Sequence, residues 1–268
     1  MTAAGIGGAG RSELARVLAG GRRFVTPTGA SAALEIDADS AAKKLSRWAK
    51  GGWLRRVCRG LYIGVPVDVA DPWSWSEDAL VVAAEVWPCY FTGWTAAGEW
   101  SLTDQVFRTT VLKTTARVRA ASVRLLDHDY LITSVPEQHV AWGMRSQWRS
   151  EYRLRFADPA RTVIDILDSP KLGGGMRHGA EILASYIDEH EPATLIDYGD
   201  RVGNGAVFKR LGYTLEALGA DLPDVVRACR DRVSAGISAL DPDGPAGGRI
   251  VTRWNLRVNV TIGSEEPA

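Results

Sequence analysis

The sequence is poor in the residues that build metal clusters, disulfide frames and membrane spans. Cysteine occurs three times, at Cys58, Cys89 and Cys229, far apart and never as C-x-x-C. That count and spacing exclude a paired disulfide framework and a four-cysteine zinc site, and read as three reduced thiols of a cytoplasmic protein. Long apolar runs are missing too. The longest uncharged stretch, Val86 to Gly98, is broken by Pro88 and Gly93, short of the roughly 20 residues a membrane helix needs. Met1-Thr2-Ala3-Ala4-Gly5 has neither the basic start nor the apolar core of a secretory signal. Net charge is absent, 32 Lys/Arg standing against 32 Asp/Glu. What remains is 46% hydrophobic and 24% charged over 268 residues, a globular composition long enough for two domains with separate cores.

The zero total hides a split. Residues 1–66 hold eleven Lys/Arg against four Asp/Glu, a balance of +7, and residues 67–268 carry the opposite −7. A small basic module ahead of a larger acidic one points to a polyanion as the partner of the first part. The cations are grouped at Lys43, Lys44, Arg47, Lys50, Arg55, Arg56 and Arg59, with no acid between Asp39 and Asp68.

The spacing of that module predicts a series of short elements. Leu14, Val17 and Leu18 share one face of a helix over Arg11–Leu18, closed by Gly20-Gly21. The glycine-rich Gly5–Gly10 before it reads as a flexible lead. Phe24-Val25 suits a short strand, and Thr26-Pro27 opens a second helix, with Thr26 as N-cap. After a turn at Glu35–Asp37, a third helix runs from Ala38 to Lys50, turning Ala41, Ala42, Leu45, Trp48 and Ala49 inward and most of its cations outward. Trp53 to Ile63 then reads as a basic hairpin bending near Gly60. This order is that of a winged helix-turn-helix, whose third helix enters the major groove while the hairpin follows the backbone. Ser40, Lys43, Lys44 and Arg47 are the expected base-edge readers. With Lys50, Arg55, Arg56 and Arg59 they make up the expected DNA-binding set. The plainer alternative is a solvated helix face, and the second basic cluster on the hairpin argues against it.

Pro66 to Glu77, with two prolines, three acids and two tryptophans, reads as a connector. The predicted layout is a winged helix at 1–66, a linker at 67–76 and a C-terminal domain at 77–268. In the latter, helices are expected at 77–87 and 93–100, strand-like alternation over 106–133, then helices at 159–167, 176–190, 194–202, 207–218 and 223–233. A loop at Asp241–Gly248 and a strand at Trp254–Val260 follow. A short sheet followed by a helical block predicts a mixed α+β fold.

Several blocks in this order resemble the AbiEi antitoxins of AbiE-type toxin–antitoxin systems. They are Gly52-Trp53-Leu54-Arg55-Arg56 with Arg59-Gly60-Leu61-Tyr62, Thr92-Gly93-Trp94-Thr95-Ala96-Ala97 with Ser101-Leu102-Thr103-Asp104-Gln105, and Asp158-Pro159-Ala160-Arg161-Thr162-Val163-Ile164-Asp165. Phe208-Lys209-Arg210-Leu211-Gly212-Tyr213-Thr214-Leu215-Glu216 and Trp254-Asn255-Leu256-Arg257-Val258-Asn259 complete the series. The resemblance implies a winged helix that represses its own operon at inverted-repeat operator DNA, with a homodimer suited to such a site. It also implies a C-terminal domain that opposes a cognate nucleotidyltransferase-like toxin. The competing expectation is a stand-alone regulator whose acidic domain dimerises or senses a ligand.

Signals for catalysis are weak, and the sequence predicts no enzyme, no cofactor and no metal site. Gly5-Ile6-Gly7-Gly8-Ala9-Gly10 matches G-x-G-x-x-G but has no room for the strand that a dinucleotide site requires before it. Leu172-Gly173-Gly174-Gly175 reads as a turn between helices, and Asp127-His128-Asp129 as a turn rather than a metal site. His139, His178 and His190 have no ligand-spaced partners. Arg161 and Asp165, and Lys209 and Tyr213, stand four apart and read as ordinary helix-face contacts. The ten tryptophans read as core and interface anchors, with Trp73, Trp75, Trp87 and Trp94 as interface candidates.

Overall fold

The computed structural model describes residues 5–21 and 23–263. The chain divides into two compact units, one running up to Val86 and taking in Arg124–Asp129, the other made of Trp87–Val123 and Tyr130 onward. The architecture is mixed α+β.

The first unit opens with α1 (Gly8–Val17), which buries Leu14 and Val17. The helix begins three residues before the predicted Arg11, so part of the expected flexible lead is its first turn; Met1–Ala4 lie outside the described residues. Ile6 explains the early start. It packs against the unit's core, and a Cβ on Gly10 would sit 2.8 Å from its side chain, so glycine lets the two close up. Strand β1 (Phe24–Val25) leads to α2 (Pro27–Leu34), where Thr26 Oγ1 accepts from the Gly29 N–H at 3.1 Å. Helix α3 (Ala38–Lys50) follows, then β2 (Leu54–Cys58) and β3 (Leu61–Gly64). These two strands pair antiparallel around Arg59-Gly60, Gly60 taking the positive φ of 81° that this tight turn demands. β1 pairs with β3, giving the order β1-β3-β2. Leu14, Val17, Val25, Ala30, Leu34, Ala41, Leu45, Trp48, Leu54 and Tyr62 form one core.

Composition places the end of this module at residue 66, but the unit continues to α4 (Ala79–Val86). Residues 67–86 contain five acids and no base, and polar contacts tie them back. Arg23 pairs with Glu77 at 2.9 Å, the Trp75 carbonyl accepts from Arg55, and Ser76 donates to the Leu126 carbonyl at 3.1 Å.

After α4 come β4 (Cys89–Phe91), α5 (Gly93–Glu99), β5 (Thr109–Thr114), β6 (Ser122–Leu125), β7 (His128–Ser134), β8 (Met144–Arg149) and β9 (Tyr152–Ala157), which belong to the second unit except for Arg124–Asp129 at the β6–β7 turn. The strands lie in the order β6-β7-β5-β4-β9-β8, with β4 antiparallel to β5 and parallel to β9. β4, β8 and β9 have no counterpart in the predicted elements. Leu126 and Asp127 turn between β6 and β7 with positive φ, so of the Asp-His-Asp run only Asp127 lies in a turn, and His128 and Asp129 open strand β7. Five helices follow: α6 (Pro159–Asp168), α7 (Met176–Glu189), α8 (Thr194–Val202), α9 (Gly205–Ala217) and α10 (Pro223–Asp231). A small sheet of β10 (Ser238–Ala239), β11 (Arg249–Val251) and β12 (Leu256–Val258) closes the unit. The predicted last strand is shortened by a 3-10 turn at Thr252–Trp254. Among the described residues no helix is long and apolar enough to cross a membrane.

The quoted sequence blocks from Thr92 onward meet inside this unit, and the Gly52–Tyr62 block lies in the first. Asp158 caps α6 by accepting from the Arg161 N–H at 2.8 Å, and nine residues from Pro159 to Leu167 are buried. The Arg161–Asp165 pair, read as a surface contact, is in the core, at 1% and 0% side-chain exposure and 2.8 Å. Asp165 also pairs with Lys113 at 2.9 Å and accepts from Thr92 at 2.7 Å and Tyr90 at 3.2 Å. The neighbouring Gly93 is obligatory: at φ +56° its Cβ would lie 2.1 Å from the Leu172 carbonyl oxygen. Arg210 donates to the carbonyls of Leu167 and Asp168 at the end of α6 and to those of Ala239 and Leu240. Lys209 is buried, and its ammonium donates to the Gly236 carbonyl at 2.7 Å. Gly212 leaves room for Trp254, whose indole N–H donates to Glu216 at 2.6 Å. The blocks build the core of this unit.

Candidate nucleic-acid interface

Helix α3 starts where the Asp37 carboxylate accepts from the Ser40 N–H at 2.8 Å. Hydrogen bonds from the Ser40 side chain and backbone hold the Asp37 carboxyl below its ordinary value, so it is an anion at the positive end of the helix. Ala41, Leu45 and Trp48 follow at four- and three-residue steps and are buried, which fixes the rotation of the helix. Ser40, Lys43, Ser46, Arg47 and Lys50 are thereby exposed. Lys43, Ser46, Arg47 and Lys50, with Ala42, line an open hollow of about 470 Å³. Among the described residues no carboxylate pairs with Lys43, Arg47 or Lys50. Asp39 stands exposed in the first turn, where the helix dipole favours an acid.

Lys44 has another task. Its ammonium lies 2.5 Å from Glu13 of α1 and 5.8 Å from the centre of the Trp48 ring, so it clamps two helices together. On the hairpin, Arg55 is similarly engaged. Its guanidinium bonds the Trp75 carbonyl and pairs with Asp127 at 2.9 Å, leaving the side chain 14% exposed. Arg56 and Arg59 are exposed, and Arg56 keeps one bond, from Nε to the Cys58 carbonyl at 3.2 Å. Burial pushes the Cys58 thiol up against the opposing influence of Arg56, so it stays protonated beside them. Six of the eight predicted residues are therefore exposed, on a helix and a hairpin of one unit, and two are spent inside it. Ser46 was not anticipated, although it follows Lys43 by three residues and so shares its face. A row of exposed cations with hydroxyls between them offers charge to an anionic backbone and directed hydrogen bonds to the groups it carries.

A smaller polar hollow of about 230 Å³ lies in the second unit, among Arg145, Asp158, Tyr186, His190, Glu191, Thr194 and Tyr198. The Tyr198 hydroxyl donates to Asp158 at 2.8 Å. Burial first, then that bond, push its phenol up to about 12, so it remains protonated at neutral pH. The hollow is below the roughly 300–1,000 Å³ usual for small-molecule pockets. Among the described residues no group of three or more His, Cys, Asp or Glu is placed to hold a metal ion.

No protein-family model matches the chain, and no curated protein sequence matches it. Among solved structures, the chain is similar to the crystal structure of the Rv2827c protein from Mycobacterium tuberculosis, with a TM-score of 0.65 at 15% identity over 95% of this chain and 93% of that one. The likeness is one of fold, carried across nearly the whole of both chains.

Proposed function

We propose that the first unit is a winged helix-turn-helix that binds duplex DNA, with α2 and α3 as the turn pair, α3 in the major groove and the β2–β3 hairpin as the wing. One observation carries this reading: Lys43, Arg47 and Lys50 form an exposed, carboxylate-free row on a helix whose rotation the core dictates. Arg56 and Arg59 supply the backbone contacts. The chain is then an AbiEi-like antitoxin and autorepressor, its first unit acting at inverted repeats in its own promoter and its second opposing a nucleotidyltransferase-like toxin.

Fluorescence anisotropy on a labelled promoter fragment tests the first half. The five exposed cations Lys43, Arg47, Lys50, Arg56 and Arg59 give a slope of log K against log[salt] of about −4.5 if each meets one phosphate. Lys43→Ala with Arg47→Ala lowers specific affinity by about 2–5 kcal/mol. Arg56→Ala with Arg59→Ala weakens all sequences alike and flattens the salt slope. Unchanged affinity in both double variants refutes the assignment. Co-expression with the neighbouring gene tests the second half: rescue of growth supports an antitoxin, and a harmless neighbour leaves a stand-alone regulator.

A further inference from the structure

A second exposed cationic surface lies far from α3 in sequence, on the outermost ribbon of the six-stranded sheet. β8 and β9 pair antiparallel with Trp148 opposite Arg153 and Ser146 opposite Arg155. Alternation puts these four on one face of the ribbon, while Leu154 and Phe156 on the other face are buried. All four are exposed, Trp148 at 64%, the most open aromatic side chain among the described residues. Arg155 is steadied by a bond to the Val140 carbonyl, and Arg153 has no partner among the described residues. Other tryptophans of the unit have their rings engaged: Trp94 stacks on Phe107, Trp142 lies 3.5 Å from the Arg161 guanidinium, and Trp100 packs on Phe156. Among the described residues the Trp148 ring meets neither a ring nor a cation.

We propose that this face binds single-stranded nucleic acid, one base stacking on Trp148 and the flanking phosphates meeting Arg153 and Arg155. Two features separate this ligand from a protein partner. The ring has no second exposed apolar side chain on its face, whereas a protein hot spot sits in a larger desolvated patch. The charges flanking it are of one sign and two residues apart on one strand, a step of about 6.6 Å that follows an extended anionic backbone. The nearest acid in sequence, Glu151, stands at the turn and not on this face. The inference concerns the second unit alone and does not depend on the role of α3.

The test uses the full chain carrying Lys43→Ala, Arg47→Ala and Lys50→Ala, which removes the duplex-binding row from the readout. Anisotropy is followed with fluorescein-labelled oligouridine and oligothymidine of about ten nucleotides, within the site size such surfaces cover. Trp148→Ala weakens binding by about 5- to 150-fold, the fold-change equivalent of stacking one base, and Trp148→Phe retains most of the affinity. Arg153→Ala with Arg155→Ala weakens binding and flattens its salt dependence. A preference for oligouridine assigns the surface to RNA, and equal affinity assigns it to single strands of either sugar. The proposal is overturned if neither oligonucleotide binds at low salt, or if Trp148→Ala leaves affinity within about twofold. It is also overturned if Trp148→Ala instead abolishes co-purification with the neighbouring gene's product, which would make the ribbon a protein-docking face. Circular dichroism melts matching the parent confirm that each variant is folded.

Discussion

Asp165 stands at 0% exposure between two cations, Lys113 and Arg161, and it is the residue on which the second unit's interior turns. Burial by itself would raise its carboxyl, but Lys113 and Arg161, helped by the Thr92 hydroxyl, outweigh that and hold it below the ordinary carboxylate range. A carboxyl that titrates lower in the folded chain than in the unfolded one adds stability above the unfolded value of about 4 and loses it as pH falls through the folded one. Replacing Asp165 by Asn leaves two buried cations uncompensated, and the expected loss at neutral pH is about 3–5 kcal/mol. Urea denaturation across a pH series checks both parts: stability drops at pH 7, and its acid-side slope becomes shallower than in the parent. Gly93→Ala is expected to be harmful for a different reason, because the added carbon meets a backbone carbonyl that cannot swing aside.

The starts of α2, α3 and α6 are specified by side chains that can be read from the sequence. Thr26, Asp37 and Asp158 each precede a predicted helix, and each accepts from the N–H three residues on. Asp158→Ala removes the α6 cap together with the Tyr198 bond and is expected to cost about 1–2 kcal/mol, whereas Asp158→Asn keeps a capping oxygen and costs less; thermal melts rank the two. Helices α3 and α8 match their predicted ranges end to end. The strands were harder. Tyr152-Arg153-Leu154-Arg155-Phe156 alternates with period two, but its charges disguise a strand that is buried on one face only, and β8 has no fully buried residue. Three-residue β4 is too short to leave a period at all. The cations posed a similar difficulty. Lys44 cannot be told from Lys43, or Arg55 from Arg56, because their partners Glu13 and Asp127 lie 31 and 72 residues away. Neighbouring charges along a helix or hairpin announce a basic surface, and only tertiary contacts decide which of them reach solvent.

At the scale of the molecule, each unit has its own apolar centre, Leu45 and Trp48 with their neighbours in one and α6, α7 and α9 in the other. Leu45→Ala, at a position with 0% exposure, is expected to cost about 2–5 kcal/mol. Hydrogen exchange locates the damage: protection falls across α1–α3 and is retained in α6 and α9. The boundary of the first unit has a practical outcome for anyone wishing to graft it onto another protein. Its chain is discontinuous, since Asp127, which neutralises Arg55, and Leu126, whose carbonyl receives Ser76, arrive from a hairpin some forty residues beyond Val86. A fragment cut at Val86 would strip Arg55, at the base of the β2–β3 hairpin, of its counter-ion. A transplant that works must carry the loop along or supply a carboxylate in its place.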